Sequence, residues 1–507
     1  MESNQSKVLG IKKHFPSVEK PWMKYYQKDV SDVQISNKTI YDYVKASCIE
    51  NAGITALFYY GKRISYTELL QKIDSYSQLF YSIGVRKNDY ISIVSPSIPE
   101  TVIAMYALNK LGAVSNFIDP RVDVYLMENL ISQAKSKIII CLDKVFPKLK
   151  KVLNQFDYEK VIIQSAADSL PAFKRGLKKL NCLKNTIKYN EKIISWKQFE
   201  QLNTAKDFEQ NCEKNINEVG LASDSDTAII AYTGGTTGTP KGVLLTNKGL
   251  NSICESIKYL NANKQKGDRF LDIMPVSTSY GAVCGIHLPL TNGFTDVLIP
   301  AFKMQEFTSL VKKYKPNYIL AVPAFYEKFT DNPILRHTNL SFLKMAVCGG
   351  DTMNANFAER FNSFIKKHGA LYPLAQGYGM SEVSSVAASC FLNVFKISSV
   401  GIPLIYNTIA AFNPESGEEL GYNEVGEICI SGPSIMNGYF NNPSESEKVI
   451  KIHADGKKWI HSGDVGYIDE DGFVFIKNRI KRMIIRYDGH KVFPSQIEDA
   501  VIKNQMV

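Results

Sequence analysis

No run of eighteen apolar residues occurs in this 507-residue chain, and its nine cysteines include neither a Cys-x-x-Cys pair nor a Cys/His spacing suited to zinc. A membrane-spanning helix needs about twenty apolar residues, and structural zinc sites need paired thiolates or imidazoles, so both classes are excluded. The cysteines, scattered from Cys48 to Cys429, are expected reduced and buried as small hydrophobes. The N-terminal stretch MESNQSKVLGIKKHFPSVEK carries lysines but no apolar core of a signal peptide, so the expected compartment is cytoplasmic. No low-complexity tract or solenoid-period repeat is present. The net charge of +10 favours anionic partners. Its lysine-rich segment between Lys135 and Lys197 nevertheless holds a single arginine, Arg175, which fits a solvated face and no nucleic-acid partner.

What is present is a globular balance of 45% hydrophobic and 22% charged residues, in a chain longer than one core usually supports. Ser65 and Glu68 form a capping-box pattern, followed by Ile73, Tyr76, Phe80 and Ile83 at helical spacing until Gly84. Tyr90 to Val94 reads as a strand, the stretch from Pro99 to Gly112 as a helix, and Val114 to Ile118 as another strand. Lys137 to Leu142, Tyr318 to Val322 and Lys344 to Val347 repeat the alternation. The fold class is therefore α/β: a large N-terminal domain of mixed, mostly parallel sheets covered by helices. From about Val425 short strands with turn signals, GEICISG and a hairpin around Asp469-Glu470-Asp471-Gly472, predict a small β-barrel-like part. Pro494 to Val507 reads as an amphipathic helix.

The stretch from Ile229 to Thr246, IIAYTGGTTGTPKGVLLT, puts four glycines, five threonines and one lysine between two strand-like runs. Gly234, Gly235 and Gly238 let backbone N–H groups approach an anion, Thr233, Thr236, Thr237 and Thr239 add hydroxyls, and Lys241 adds a positive charge. It is not the GxxxxGK[ST] loop, because Thr239 and Pro240 follow Gly238, Gly242 follows Lys241, and a strand rather than a helix comes next. A phosphate cradle and a surface hairpin turn both satisfy this composition.

Further along stand Cys348-Gly349-Gly350, then Tyr378-Gly379-Met380-Ser381-Glu382, then Ser462-Gly463-Asp464, then Arg479. Singly these are turn or capping residues. In this order behind YTGGTTGTPKGV the set resembles the adenylate-forming (AMP-binding) superfamily, which includes acyl-CoA synthetases, firefly-type luciferases and adenylation domains of peptide synthetases. The likeness runs from about Lys20 to Glu498.

The resemblance implies ATP-dependent activation of a carboxylic acid to an acyl adenylate with release of pyrophosphate, followed by transfer to coenzyme A. A carrier protein as acceptor and a peripheral membrane contact stay open. The loop from Thr233 through Thr237 to Lys241 would hold the β- and γ-phosphates, Ser381 the α-phosphate and Glu382 Mg²⁺. Lys241, Thr237, Ser381 and Glu382 are thus the implied catalytic residues. Tyr378 and Gly379, with Gly349 and Gly350, would sandwich adenine; Asp464 would accept from the ribose hydroxyls, and Arg479 would reach ribose or phosphate. Met274 to Gly281 resembles the acyl-side segment, but with Ser277 and Thr278 near the position of the family's histidine, and no aspartate for an amino-acid ammonium. That favours an ordinary carboxylic acid, and Lys20-Pro21-Trp22 with Tyr25-Tyr26 resembles the lead-in of fatty acyl-CoA ligases. The aromatics there also suit simple packing of the N-terminus.

The resemblance divides the chain into residues 1–480, the AMP-binding domain, and residues 481–507, a stub of a small α+β domain, with Lys481 as the hinge. Asn478 stands where relatives carry glycine. No residue matches the C-terminal lysine that contacts the substrate carboxylate in relatives, so the expectation is a fragment or an impaired ligase. The alternatives are a catalytically silent nucleotide- or acyl-adenylate-binding protein, or a module that loads a carrier protein.

Overall fold

The computed structural model describes residues 14–26, 34–171, 187–203, 222–233, 240–259, 263–330, 332–351 and 353–480, and the backbone of 484–485 and 491–492. The chain begins its sheets with a hairpin, β1 (Thr55–Tyr59) and β2 (Lys62–Ser65), whose last residue caps the helix Tyr66–Ser82. The Ser65 hydroxyl accepts the Glu68 N–H at 3.1 Å and the Glu68 carboxylate accepts the Ser65 N–H at 2.7 Å, the capping box read from sequence. Gly84, at φ +98°, ends the run where a side chain would be strained.

A seven-stranded sheet follows, built from β3 (Tyr90–Val94), β4 (Val114–Phe117), β5 (Ile138–Leu142), β6 (Lys160–Gln164), β7 (Ile193–Ser195), β8 (Thr227–Tyr232) and β9 (Gly242–Thr246). Its order is β7-β6-β5-β3-β4-β8-β9, parallel except for the β8–β9 pair. The helix Pro99–Lys110 starts on its proline and is buried from Pro99 to Asn109, which is why its sequence shows little polar face.

The second sheet has nine strands. It takes back β1 and β2 and adds β10 (Arg269–Asp272), β11 (Thr295–Leu298), β12 (Tyr318–Ala321), β13 (Met345–Cys348), β14 (Ala375–Tyr378), β15 (Ala388–Ser389) and β16 (Ile402–Pro403). Alternate residues of its strands face different cores. Tyr318, Leu320, Met345 and Val347 join the large cluster shared with the first sheet, while Ile319, Ala321, Ala346 and Cys348 face a second cluster under the helix Ala355–Lys367. Both faces are covered, as the continuous apolar runs required.

The last sheet is antiparallel: β17 (Thr408–Phe412), β18 (Gly426–Ser431), β19 (Ile450–Ile452), β20 (Lys458–Ile468) and β21 (Val474–Arg479), in the order β17-β18-β20-β19 with β21 on β20. Among the described residues no pairing closes it into a barrel. The N-terminal aromatics pack against this part. Trp22 is fully buried, and an added side chain at Gly472 would lie 2.7 Å from the Trp22 nitrogen. Seven cysteines among the described residues are free and buried. The predicted strands from Val114 and Lys137 are each one residue shorter than read. The predicted helix from Pro494 lies outside the described residues. Unannounced by the sequence is a π-helix, Tyr280–His287, whose wide turn starts at the end of the Met274–Gly281 segment.

Candidate active site

The neck of the Gly/Thr loop is closed by pairing of Tyr232 with Gly242 and by the Thr233 N–H donating to the Lys241 carbonyl at 3.0 Å. Gly242 is needed there, since an added Cβ would lie 2.9 Å from the Ile230 side chain. Gly234, Gly235, Thr236, Thr237, Gly238 and Thr239 lie outside the described residues. Lys241 forms an ion pair with Glu445, and its ammonium sits 4.8 Å from the ring centre of Tyr439. Glu445 also pairs with Lys448, and Lys241 first and Lys448 second hold its carboxyl down to about 2.

Tyr439 belongs to a segment that lies along β9 like a further strand. Asn437 N–H donates to Leu244 O at 2.9 Å, Leu244 N–H to Gly438 O at 3.0 Å and Phe440 N–H to Gly242 O at 2.7 Å. The Tyr439 hydroxyl donates to Oε1 of the buried Glu382 at 2.6 Å, and Met436 N–H donates to the Glu382 carbonyl at 2.9 Å. Lys241, Tyr439 and Glu382 thus form one continuous contact chain between the two larger sheets.

Glu382 and Ser381 arrive at the end of β14. The chain turns sharply after Tyr378, and a Cβ on Gly379 would lie 1.9 Å from the Ser385 carbonyl oxygen, so glycine alone fits. Ser384 and Ser385 close the turn at φ +56° and +101°, conformations that cost a non-glycine residue strain and that cluster at functional sites. The Ser381 hydroxyl lies 3.0 Å from that of Ser279, which brings the Met274–Gly281 segment to the same place. Thr278 serves the turn itself, donating to Pro275 O and accepting from Gly281 N–H.

Tyr378, Asp464 and Arg479 form the other half. The Tyr378 hydroxyl donates to Asp464 Oδ2 at 2.8 Å and Arg479 Nε donates to Asp464 Oδ1 at 3.0 Å. Asp464 and Arg479 meet because they are register partners in the β20–β21 hairpin. Burial raises the Asp464 carboxyl above its ordinary range, opposed by the Arg479 charge and the Tyr378 hydroxyl. Gly463, at φ +71°, donates its N–H to Glu427 Oε1 at 3.0 Å, and Glu427 Oε2 holds His461 Nδ1 at 2.8 Å.

Gly349 and Gly350 end β13 beside this cluster. The Cβ position of Gly349 is 3.5 Å from the Gly377 carbonyl and 3.7 Å from the Tyr280 hydroxyl, a buried group without a hydrogen-bond partner among the described residues. A cavity of about 400 Å³ is lined by Met353, Glu359, Asn362, Gln376, Phe395 and Ile397 among others.

Of the residues read from sequence, the structure therefore gathers Lys241, Glu382 and Ser381 on one side and Gly349, Gly350, Tyr378, Asp464 and Arg479 on the other, joined by Gly379. Thr233 stands at the loop neck, and Lys481 lies outside the described residues. Sequence reading missed Tyr439, Glu445 and Glu427, and named Ser279 only as part of the Met274–Gly281 segment. Glycines on either side of Ile435-Met436-Asn437 were the one local signal near Tyr439, and nothing local marks the others as site residues. Among the described residues no helix is long and apolar enough to cross a membrane.

The chain matches the AMP-binding enzyme family over residues 44–440. A long-chain-fatty-acid–CoA ligase of Bacillus subtilis (strain 168) is 29% identical over 496 residues, covering 96% of this chain and 85% of the relative. A probable 4-coumarate–CoA ligase 2 of Dictyostelium discoideum is 28% identical over 431 residues, covering 84% and 73%. The fold matches that of a long-chain-fatty-acid-CoA ligase from Archaeoglobus fulgidus with TM-score 0.74 at 21% identity, over 93% of this chain and 88% of the other. The chain belongs to the AMP-binding enzyme family, in its acyl-CoA synthetase type of acid–thiol ligase.

Proposed function

We propose that this protein activates a carboxylic acid of fatty or other acyl type with ATP, forming the acyl adenylate and pyrophosphate, and then passes the acyl group to coenzyme A. The observation that carries this is the single turn Tyr378–Glu382, which holds the Tyr378–Asp464–Arg479 cluster and the Glu382–Tyr439–Lys241 chain together.

The roles follow from the chemistry of the groups. Asp464, a buried carboxylate within β20, accepts from the vicinal ribose hydroxyls, with Arg479 beside it for the ribose or phosphate. Adenine lies between the Tyr378 ring and the Gly349–Gly350 backbone, where the absence of a Cβ leaves room for a flat base. Lys241 and the loop from Thr233 to Thr239 take the β- and γ-phosphates, and Ser381 the α-phosphate. In that arrangement cations and N–H donors offset the repulsion between the acid's carboxylate and the triphosphate. The carboxylate oxygens of Glu382 fit a hard divalent cation such as Mg²⁺. When bound, Mg²⁺ supplies charge neutralisation on the departing pyrophosphate. The acid enters from the Met274–Gly281 side, where Ser279 meets Ser381. A fatty acid is favoured by the apolar character of the π-helix that follows and by the Bacillus relative. Residues 1–480 are the nucleotide-binding body, with Lys481 at its boundary.

Acid-dependent ATP–pyrophosphate exchange with a panel of aliphatic and aromatic acids tests the proposal. Exchange that requires an acid and is strongest with acyl chains is expected. ATP binding without exchange for any acid in the panel would overturn it.

A further inference from the structure

We infer that Tyr439 is a positioning residue for the metal-side carboxylate: its hydroxyl fixes Glu382, and its ring ties that carboxylate to the lysine of the Gly/Thr loop. The inference rests on the assignment of Glu382 to Mg²⁺ made above. A buried carboxylate next to a triphosphate site has to present one oxygen outward without rotating away. Glu382 is 7% exposed, and Tyr439 takes up its Oε1 at 2.6 Å. Among the described residues Oε2 accepts no hydrogen bond, so the contact orients the group toward a cation through that oxygen.

Tyr439 is itself held from three directions. Its backbone bridges Val243 of β9, its N–H donates to the Ser446 hydroxyl at 2.8 Å, and its neighbours Gly438 and Phe440 bond Leu244 and Gly242. The same strand β9 begins one residue after Lys241, whose ammonium lies over the Tyr439 ring at 4.8 Å. Lys241 and Glu382 are thereby linked through one aromatic side chain.

A merely structural hydrogen bond would alter folding and leave metal binding alone, and Tyr439→Phe separates the two, since it keeps the ring and removes the hydroxyl. Mn²⁺ serves as the probe, with binding followed by electron paramagnetic resonance in the presence of a non-hydrolysable ATP analogue. ATP-analogue binding without metal is measured by equilibrium dialysis, and folding by the urea midpoint. Tyr439→Phe should weaken Mn²⁺ binding about tenfold or more, the scale of a lost hydrogen bond to a charged group. Metal-free nucleotide binding should stay as in the wild type. In a double-mutant cycle with Glu382→Gln, the two losses should be strongly non-additive. Wild-type Mn²⁺ affinity in Tyr439→Phe, or additive losses, would overturn the inference. If Glu382→Gln alone leaves Mn²⁺ binding intact, the metal assignment itself fails, a separate result from failure of Tyr439. Should Tyr439→Phe shift the urea midpoint, Ser446→Ala, which removes the hydroxyl that accepts the Tyr439 N–H and donates to Asn442 O, should reproduce a smaller loss of Mn²⁺ affinity, and an unchanged affinity there would also count against the inference.

Discussion

Substituting Gly379 by alanine adds one methyl group at the turn that joins the two halves of the site. The Cβ would lie 1.9 Å from the Ser385 carbonyl oxygen and 2.7 Å from its carbon, where real contacts are essentially never under 3.0 Å. The turn must open by at least the difference between 1.9 and 3.0 Å, and the wall is backbone, with no side chain free to swing aside. Overpacking of this kind costs about 1–3 kcal/mol, and a rigid wall places Gly379→Ala toward the upper end. The functional loss should be larger. Ser381 and Glu382 are two and three residues from the methyl, and a misplacement of about 1 Å in a catalytic array can reduce rate about 10²-fold. Urea unfolding and acid-dependent ATP–pyrophosphate exchange, run side by side, separate the two effects. Gly53→Ala is the control, because nothing lies within 4 Å of its Cβ position. Exchange in Gly379→Ala indistinguishable from the wild type would refute the claim that this turn sets the site.

Burial pushes the Glu100 carboxyl up to about 7 from an ordinary 4.5, so the folded state holds a proton that the unfolded chain has released between those values. Stability attributable to this group therefore falls as pH rises through that window, by roughly 3 kcal/mol at about 1.4 kcal/mol per unit. Glu100→Gln keeps an acceptor for the Ser169 hydroxyl and should flatten thermal stability between pH 5 and 8; a slope equal to the wild type's would count against it. Glu445→Gln should free Lys241 and tighten ATP binding up to about fivefold at low salt, the scale of a partly exposed ion pair, with the gain lost at high salt. Asp464→Asn should weaken ATP binding roughly tenfold or more through loss of a charged acceptor, with 2′-deoxy-ATP affected less than ATP. Equal losses for both nucleotides would remove the ribose role.

The alternation of strands and helices was legible wherever apolar runs were bounded by caps and glycines, as at Ser65, Pro99 and Gly112. Those signals are local, set by hydrogen bonding and backbone conformation within a few residues. The order of the Gly/Thr loop, Glu382, Asp464 and Arg479 was equally readable, because each carries a distinctive residue type in a short motif. The π-helix was not, since a wide turn in an apolar stretch depends on what packs around it.

Within the site the same division holds. Sequence by itself supplied the candidate groups proposed for phosphate, ribose and metal, because donor chemistry resides in single side chains. Only the tertiary structure decided their pairing. Tyr439 reaches Glu382 across 57 residues and Lys241 meets Glu445 across 204, contacts with no sequence period to announce them. They exist because the segment around Gly438 hydrogen-bonds along β9, and backbone pairing of that kind depends on where the sheet leaves an edge open rather than on which residues fill it.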